Sequence, residues 1–580
     1  MNDLILNFKY IYSEISKNFR FRFFLICFLM IISALLELGS IASLVPFLQK
    51  ILFVKQESKV IFFDDFFIDN KFYQENKFLI ITIFFIGFIL LSLLIRTFVL
   101  KLTFDFTKIM GIHFSRLVIK KTLDLSYMKF TSLNSGNLVA MIETKIDRLV
   151  DFIHHTLEVL SSLTILLFIF AGLIVVNTKI SVITFIFLLI CYLSMFKKYK
   201  RNMINLGDQY AIGLSNRVKT VQEIFGSFRL LKIDQSISRT FFNIKFLKFD
   251  ENIRSAIAKL SFLGTFPRYF IEGMAIIIIS VLAFFLIKKE FYPQELIVLS
   301  LGVIAFAAQK LLPLSQKIYY SFSLMSANKQ SVLDVVDFLD LKTGTRIASN
   351  NNELSFNKSI LLKDVKFEYF AKKKNIVFEN VNLKIEKNSK ICILGKTGSG
   401  KSTFVDLIIG LLKPQSGQVL VDDKNIEEAL ESWQKKISYV PQTTFLTDTT
   451  ILENITFGVK YSNIDFKKLE KAIKIAYLEN MINSFPEKLQ TKIGERGVML
   501  SGGQVQRLGL ARAFYKDFEI LILDESTNAL DADTENLVYS NIKSEFQDKT
   551  IFSITHNRDL SKKFNTILEL DKGKIETKKI

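Results

Sequence analysis

Six apolar stretches, at about 23–48, 78–100, 156–176, 180–196, 269–287 and 294–314, dominate the first 340 residues. Several reach the roughly 20 residues that a helix needs to cross the hydrocarbon of a bilayer. After residue 340 no such run recurs. Short β-rich runs at Ile391–Leu394, Lys436–Val440, Ile520–Leu523 and Thr550–Ile554 alternate there with helical patterns, the mark of an α/β domain. The pattern predicts an all-α domain of six membrane-spanning helices over residues 1–340, a linker over 341–356 and an α/β domain over 357–580. Connections of about 50 and 70 residues between spans are poor in Gly and Pro and keep an apolar content. They read as helices continuing beyond the bilayer, by tens of Å at 1.5 Å per residue.

Charge orients this plan. Lys and Arg number eight in 101–151 and thirteen in 197–267, against one in 177–179 and two in 288–293. Loops rich in Lys and Arg face the cytoplasm. The basic connections, the N-terminus and the α/β domain are therefore expected on the cytoplasmic side. Of the 580 residues, 75 are Lys or Arg and 56 Asp or Glu, a balance of +19. Positive-inside bias accounts for much of it, so no nucleic-acid partner is expected. The three cysteines, Cys27, Cys191 and Cys392, lie too far apart in sequence for a disulfide framework or a metal-ligand motif. The first apolar run extends past signal-peptide length, so the N-terminus is expected to be retained.

The chemistry concentrates in the second half. Gly395-Lys396-Thr397-Gly398-Ser399-Gly400-Lys401-Ser402-Thr403 follows an apolar strand and opens a helical run. That context makes it a phosphate-binding loop: backbone N–H groups face phosphate oxygens, Lys401 reaches the β- and γ-phosphates, and Ser402 offers a hydroxyl to Mg²⁺. Ile520–Leu523 is a buried strand ending in Asp524 and Glu525. The first carboxylate is suited to hold the Mg²⁺ shell and the second to polarise an attacking water. Leu500-Ser501-Gly502-Gly503-Gln504 lies between these elements, and His556 follows the strand Thr550–Ile554.

Taken together the chain resembles the ATP-binding cassette (ABC) transporters, with a membrane domain and an ATPase domain in one polypeptide. The resemblance implies an ATPase that uses ATP and Mg²⁺ to drive transport. It implies that Tyr369 stacks on adenine, that Gln442 joins Ser402 and Asp524 at the metal, and that Gln442 and His556 assist Glu525. Ser501 to Gln504 match the family's LSGGQ signature and Asp531 its D-loop, both meeting nucleotide held by a second copy. A homodimer is implied, with a heterodimer as the alternative. Thr491-Lys-Ile-Gly-Glu495-Arg496-Gly497 resembles the motif that marks exporters. Val505 and Asn528 depart from common residues without removing a catalytic group.

Ionisable side chains in or near spans are costly, and five stand out: Arg96, Arg268, Glu272, Lys310 and Lys317. Arg96, Arg268 and Lys310 lie 16–19 residues from the outer ends of their spans, about 24–29 Å down. They read either as a basic belt in a shared cavity for a phosphate or pyrophosphate group, or as side chains snorkelling to inner-leaflet lipid. The aromatic and acidic segment Ile61–Tyr73 reads as an interfacial helix or as a loop anchoring the span ends. These features, with Phe266–Gly273 and Gln309–Pro313, resemble the flippases of lipid-linked oligosaccharides in bacterial protein glycosylation. That resemblance implies a bacterial inner-membrane exporter of a polyprenyl-pyrophosphate glycan, with Arg96, Arg268, Lys310 and Lys317 meeting the substrate. A peptide, lipid or multidrug exporter is the alternative, and a gated channel or sensor that does not pump is a second.

Overall fold

The computed structural model describes residues 17–52, 71–176, 178–288, 294–341, 353–369, 375–494, 497–571 and 573–579. Two units emerge, one of residues 1–125 and 131–342, the other of 126–130 and 343–580. Residues 342–352 of the expected linker over 341–356 lie outside the described residues, as do 61–70 of the aromatic segment and Glu495 and Arg496.

In the first unit each of the six apolar stretches sits inside a longer helix: α1 (Lys17–Leu52), α2 (Lys71–Asp124), α3 (Ile146–Val176), α4 (Thr178–Gly226), α5 (Leu247–Lys288) and α6 (Gln294–Ala327). Phe19–Ile51, Asn76–Asp124 and Gly136–Ile174 are each long and apolar enough to cross a membrane. Much of α2 turns large apolar side chains outward, among them Ile83, Leu90 and Leu94. In water such a face would be expensive; against lipid it costs nothing. α1 packs on α2 and α3, α3 on α6, and α5 on α4. A short helix α7 (Lys329–Asp340) closes this unit, burying Val332, Val335 and Phe338 at helical spacing.

Close approach between these helices uses small residues, because lipid gives no hydrophobic drive and contact must come from packing. A Cβ on Gly207 of α4 would stand 2.2 Å from the carbonyl oxygen and 2.6 Å from the Cα of Ala327 at the end of α6.

The second unit is the α/β domain. A four-stranded sheet runs β2-β1-β4-β5, from β1 (Ser359–Tyr369), β2 (Asn375–Glu386), β4 (Ser416–Val421) and β5 (Lys424–Asn425). A six-stranded sheet runs β10-β9-β3-β8-β7-β6. Its strands are β3 (Lys390–Gly395), β6 (Ile437–Val440), β7 (Ile520–Asp524), β8 (Thr550–Ile554), β9 (Thr566–Asp571) and β10 (Lys574–Lys579). All neighbours in it are parallel except β9 and β10. Every residue of β7 and β8 is buried, as expected for central strands of a parallel sheet covered on both faces. Helix α8 (Lys401–Ile409) follows β3, and Phe404, Leu407 and Ile408 fill the space between the two sheets with Trp433. Trp433 is wholly buried and its indole N–H donates to the Ile408 carbonyl at 2.7 Å. Residues 126–130 cluster with this unit, and Met128 packs against its core.

The backbone contact at Gly207 predicts that Gly207→Ala lowers the thermal midpoint of the detergent-solubilised full chain, by about 1–3 kcal/mol of overpacking. Gly87→Ala, where a Cβ meets nothing within 4 Å, should leave that midpoint in place or raise it. Equal midpoints for Gly207→Ala and wild type would contradict the packing.

Candidate functional site

Strand register assembles the site. Ile393 of β3 pairs with Ile554 of β8, and Ile554 pairs with Asp524 of β7, so three strands end at one level. On the far side Val440 of β6 pairs with Leu523. The loop after β3, the carboxylates after β7, Gln442 after β6 and His556 after β8 therefore share the carboxyl edge of the sheet. Ligands of open parallel sheets bind at this edge.

The glycine-rich loop curls as its sequence requires. Gly398 and Gly400 have φ of +83° and +98°, a region L side chains rarely enter, and Gly400 caps α8. Lys401 is buried, and its Nζ donates to the carbonyls of Gly395 at 2.8 Å and Lys396 at 3.2 Å. Burial lowers its pKa, opposed by the charges of Glu525 and Asp524. Ser402 is exposed at the first turn of α8, while Ser399 Oγ is buried without a hydrogen-bond partner. A glycine loop running into a helix N-terminus, with a poised ammonium and an unsatisfied hydroxyl, fits a phosphate chain. Tyr369 stands half-open at the end of β1, edge-on to Phe367 at 5.1 Å, and its hydroxyl is 3.1 Å from the hydroxyl of Thr403. Thr403 is thus held by Tyr369 on the buried side of α8.

Asp524 is buried, and the Tyr439 hydroxyl donates to its Oδ2 at 3.0 Å. Burial raises its pKa, the Tyr439 bond counters this, and Glu525 adds to the rise. Such a carboxylate gains by acquiring a cation, and Ser402 and Asp524 together offer the hard oxygen ligands that suit Mg²⁺.

Glu525 is the centre of the arrangement. Its backbone is left-handed, with φ of +48°, and its N–H donates to the Ile554 carbonyl at 3.1 Å. The carboxylate is 12% exposed and accepts the Gln442 amide at 2.8 Å and the Asn528 amide at 3.1 Å. His556 Nε2 is 2.8 Å from its other oxygen. Strain at a non-glycine residue, held by three partners, is a recurring property of catalytic positions. Asn528, read in the sequence as a harmless departure, is therefore a direct partner of Glu525.

The signature residues form a different structure. Ser501 caps α9 (Gly502–Tyr515), accepting from the Gln504 N–H, while the Gln504 side chain accepts from the Ser501 N–H at 2.8 Å. Gly503 lies so close to Ala529 that a Cβ would meet its carbonyl oxygen at 2.9 Å, and the Ala529 N–H donates to Gln506 at 2.9 Å. Asp531 caps α10 (Ala532–Glu545) through the Thr534 N–H at 2.9 Å. Among the described residues no hydrogen bond joins Ser501–Gln504 to the loop at Gly395–Thr403.

The first unit holds a cavity of about 440 Å³ lined by residues of α1, α2, α3 and α6. Arg96, Lys310 and Lys317 reach it together. Arg268 is not among its lining residues; it lies 3.6 Å from Glu272, one turn along α5. Of the expected belt of Arg96, Arg268 and Lys310, the cavity brings together Arg96 and Lys310, and Lys317 stands beside them where Arg268 does not. Two residues absent from the sequence reading line the same walls, Glu37 of α1 and Glu158 of α3. A lone carboxylate inside an apolar run was a signal available at Glu37, on the same argument that singled out Arg96.

Asp406, half-buried on α8, carries a pKa raised to about 6 by burial and by Asp524. The folded state holds this proton more tightly than the unfolded chain. Its contribution to stability is present below about pH 4 and lost as pH rises through about 6. Asp406→Asn should therefore raise the thermal midpoint of the full chain at about pH 7.5, the gain shrinking towards about pH 4. A gain that grows on acidification would contradict this.

Comparison with known proteins gives the family and the fold. The family profile described as "ABC transporter" matches residues 378–528. The heterocyst differentiation ATP-binding protein HepA of a Nostoc strain is 30% identical over 469 residues, 78% of this chain and 73% of that protein. The ATP-dependent lipid A-core flippase of Pectobacterium atrosepticum is 36% identical over 247 residues, 42% of this chain and 41% of that protein. The solved structure of a bacterial Atm1-family ABC exporter with ATP bound superposes with a TM-score of 0.77 at 19% identity, over 95% of this chain and 94% of that one, a likeness of fold. With a helical membrane domain joined to an ATPase domain built in this way, the chain belongs to the ABC transporters of exporter type, in which ATP hydrolysis is coupled to transport.

Proposed function

We propose that this chain is one half of a homodimeric flippase of a bacterial inner membrane, moving an anionic lipid-linked glycan from the cytoplasmic side at the expense of ATP. The observation that carries the ATPase part is the convergence of Gln442, Asn528 and His556 on the Glu525 carboxylate beside Lys401. Lys401 exchanges its two carbonyl partners for phosphate oxygens, and Ser399 Oγ gains a partner it lacks. Ser402, Asp524 and Gln442 would hold Mg²⁺, which would neutralise charge on the transferring phosphoryl group. Glu525 orients and polarises the attacking water, while Gln442 and His556 keep its carboxylate in place. Tyr369 contributes an aromatic face for the base. Ser501 to Gln504 and Asp531 complete the site of the second copy, a reading supported by the finding that among the described residues they make no hydrogen bond to their own phosphate loop. Closure of the two cassettes on ATP then drives the membrane helices between two states.

For the transported molecule, support comes from the cavity. It mixes apolar walls with the hydroxyls of Ser33, Ser92, Ser161 and Ser162 and with Arg96, a lining suited to a polar, phosphate-bearing head on a greasy tail. A relative bearing the name lipid A-core flippase points to the same class. A polyprenyl-pyrophosphate glycan is the first substrate to test.

Two experiments check this reading. Glu525→Gln should lower Mg²⁺-dependent ATPase activity at least ~100-fold while trapping a nucleotide-bound dimer, seen as cross-linking between cassettes of two chains. In vesicles, a polyprenyl-pyrophosphate glycan should stimulate ATPase activity and be translocated, and Arg96→Ala should abolish the stimulation while Arg268→Ala retains it. Stimulation that survives in Arg96→Ala would refute the assignment of the cavity.

A further inference from the structure

Two of the three cations on the cavity wall already have carboxylate partners. Lys310 and Lys317 are seven residues apart on α6, two helical turns or about 10 Å, and with Leu314 between them they form one stripe facing the cavity. Lys310 Nζ is 2.9 Å from Glu37 Oε1 and 2.8 Å from Ser40 Oγ, both on α1. Glu37 is 8% exposed, and its other oxygen accepts the hydroxyl of Ser92 on α2. Lys317 Nζ is 2.8 Å from Glu158 Oε1 on α3. The second oxygen of Glu158 lies 3.1 Å from His155 Nδ1 and 3.1 Å from Ser321 Oγ, and His154 Nε2 stands 3.6 Å from the first. Arg96 lines the same walls, and among the described residues no carboxylate lies within 4.0 Å of it. The cavity thus sets three cations against two carboxylates, a formal balance of one positive charge.

We infer that Glu37 and Glu158 are specificity-determining residues: by clamping Lys310 and Lys317 they leave Arg96 as the cation a ligand meets, and they restrain the cavity's attraction for multiply charged head groups. This rests on the cavity being where the transported molecule binds. A first phosphate engages the Arg96 fork at little cost. A second phosphate must displace a carboxylate already in contact with its lysine, or sit beside that carboxylate's negative charge. A diphosphate therefore gains little over a monophosphate. With either carboxylate neutralised, its lysine, partly exposed on the cavity wall, loses its ionic partner, and the second phosphate takes that place.

The test uses the detergent-purified full chain and two soluble probes, dodecyl monophosphate and dodecyl diphosphate, with binding measured by equilibrium dialysis. In the wild type the two dissociation constants should lie within about threefold of each other. Glu37→Gln and Glu158→Gln should each tighten diphosphate relative to monophosphate by about tenfold, and the pair Glu158→Gln with Lys317→Gln should return the ratio to the wild-type value. The inference is overturned by a ratio within about twofold of wild type in both single variants, or by no binding of either probe to any form. Should both variants fail to fold, the wild-type ratio decides alone: a diphosphate preference above about tenfold is what three unclamped cations would give, and it refutes the clamp. Glycan translocation in vesicles reads the substrate assignment separately, so a chain that translocates the glycan with an unchanged ratio overturns the clamp only.

Discussion

A charge taken out of water must be met by an opposite charge or by hydrogen bonds, and both halves of this chain are organised by that requirement. In the α/β domain, Lys401 turns back onto two loop carbonyls, Asp524 takes the Tyr439 hydroxyl, and Glu525 draws Gln442, Asn528 and His556 around one carboxylate. In the membrane domain, Glu37 and Glu158 meet Lys310 and Lys317. The first set is held ready to exchange its partners for phosphate and metal. The second ties α6 to α1 and to α3, so any anion entering the cavity competes with contacts that also hold helices together.

The ready state of the first set depends on sheet register. Parallel pairing of β3, β8 and β7 brings Ile393, Ile554 and Asp524 to one level, and residues distant in sequence emerge at one edge because each follows its strand by one or two positions. The left-handed backbone at Glu525 turns the chain immediately after the strand, where Asn528 can return to the same carboxylate. The signature helix α9 is tied through Gln506 and Gly503 to the segment at Ala529, so its capped end and the turn after Glu525 are linked mechanically. A change of partners at Glu525 thereby has a direct route to the surface carried by Ser501–Gln504.

The phosphate loop, the acidic strand end and the signature were legible because each is a contiguous stretch whose chemistry is local: glycines where φ is positive, an apolar strand before a carboxylate, a serine that caps a helix. The helical membrane domain was legible because lipid demands long apolar runs, and those runs lie inside α1 to α6. The role of Asn528 was not, since a short polar side chain after a strand says nothing of the direction it faces. The cavity cations were only half legible: Arg96, Lys310 and Lys317 stand out of apolar runs, but depth along a helix does not specify azimuth, and Arg268 at similar depth lies off the cavity wall beside Glu272.

The sequence alone determined that this protein is a membrane exporter with a cassette ATPase, because motifs and hydropathy are properties of neighbouring residues. Tertiary structure decided which charges cancel. Glu37 and Lys310 are 273 residues apart, and Glu158 and Lys317 are 159 apart. Only helix packing brings each pair within 3 Å, and so only the folded chain reveals that a cavity bordered by three cations carries the excess of one.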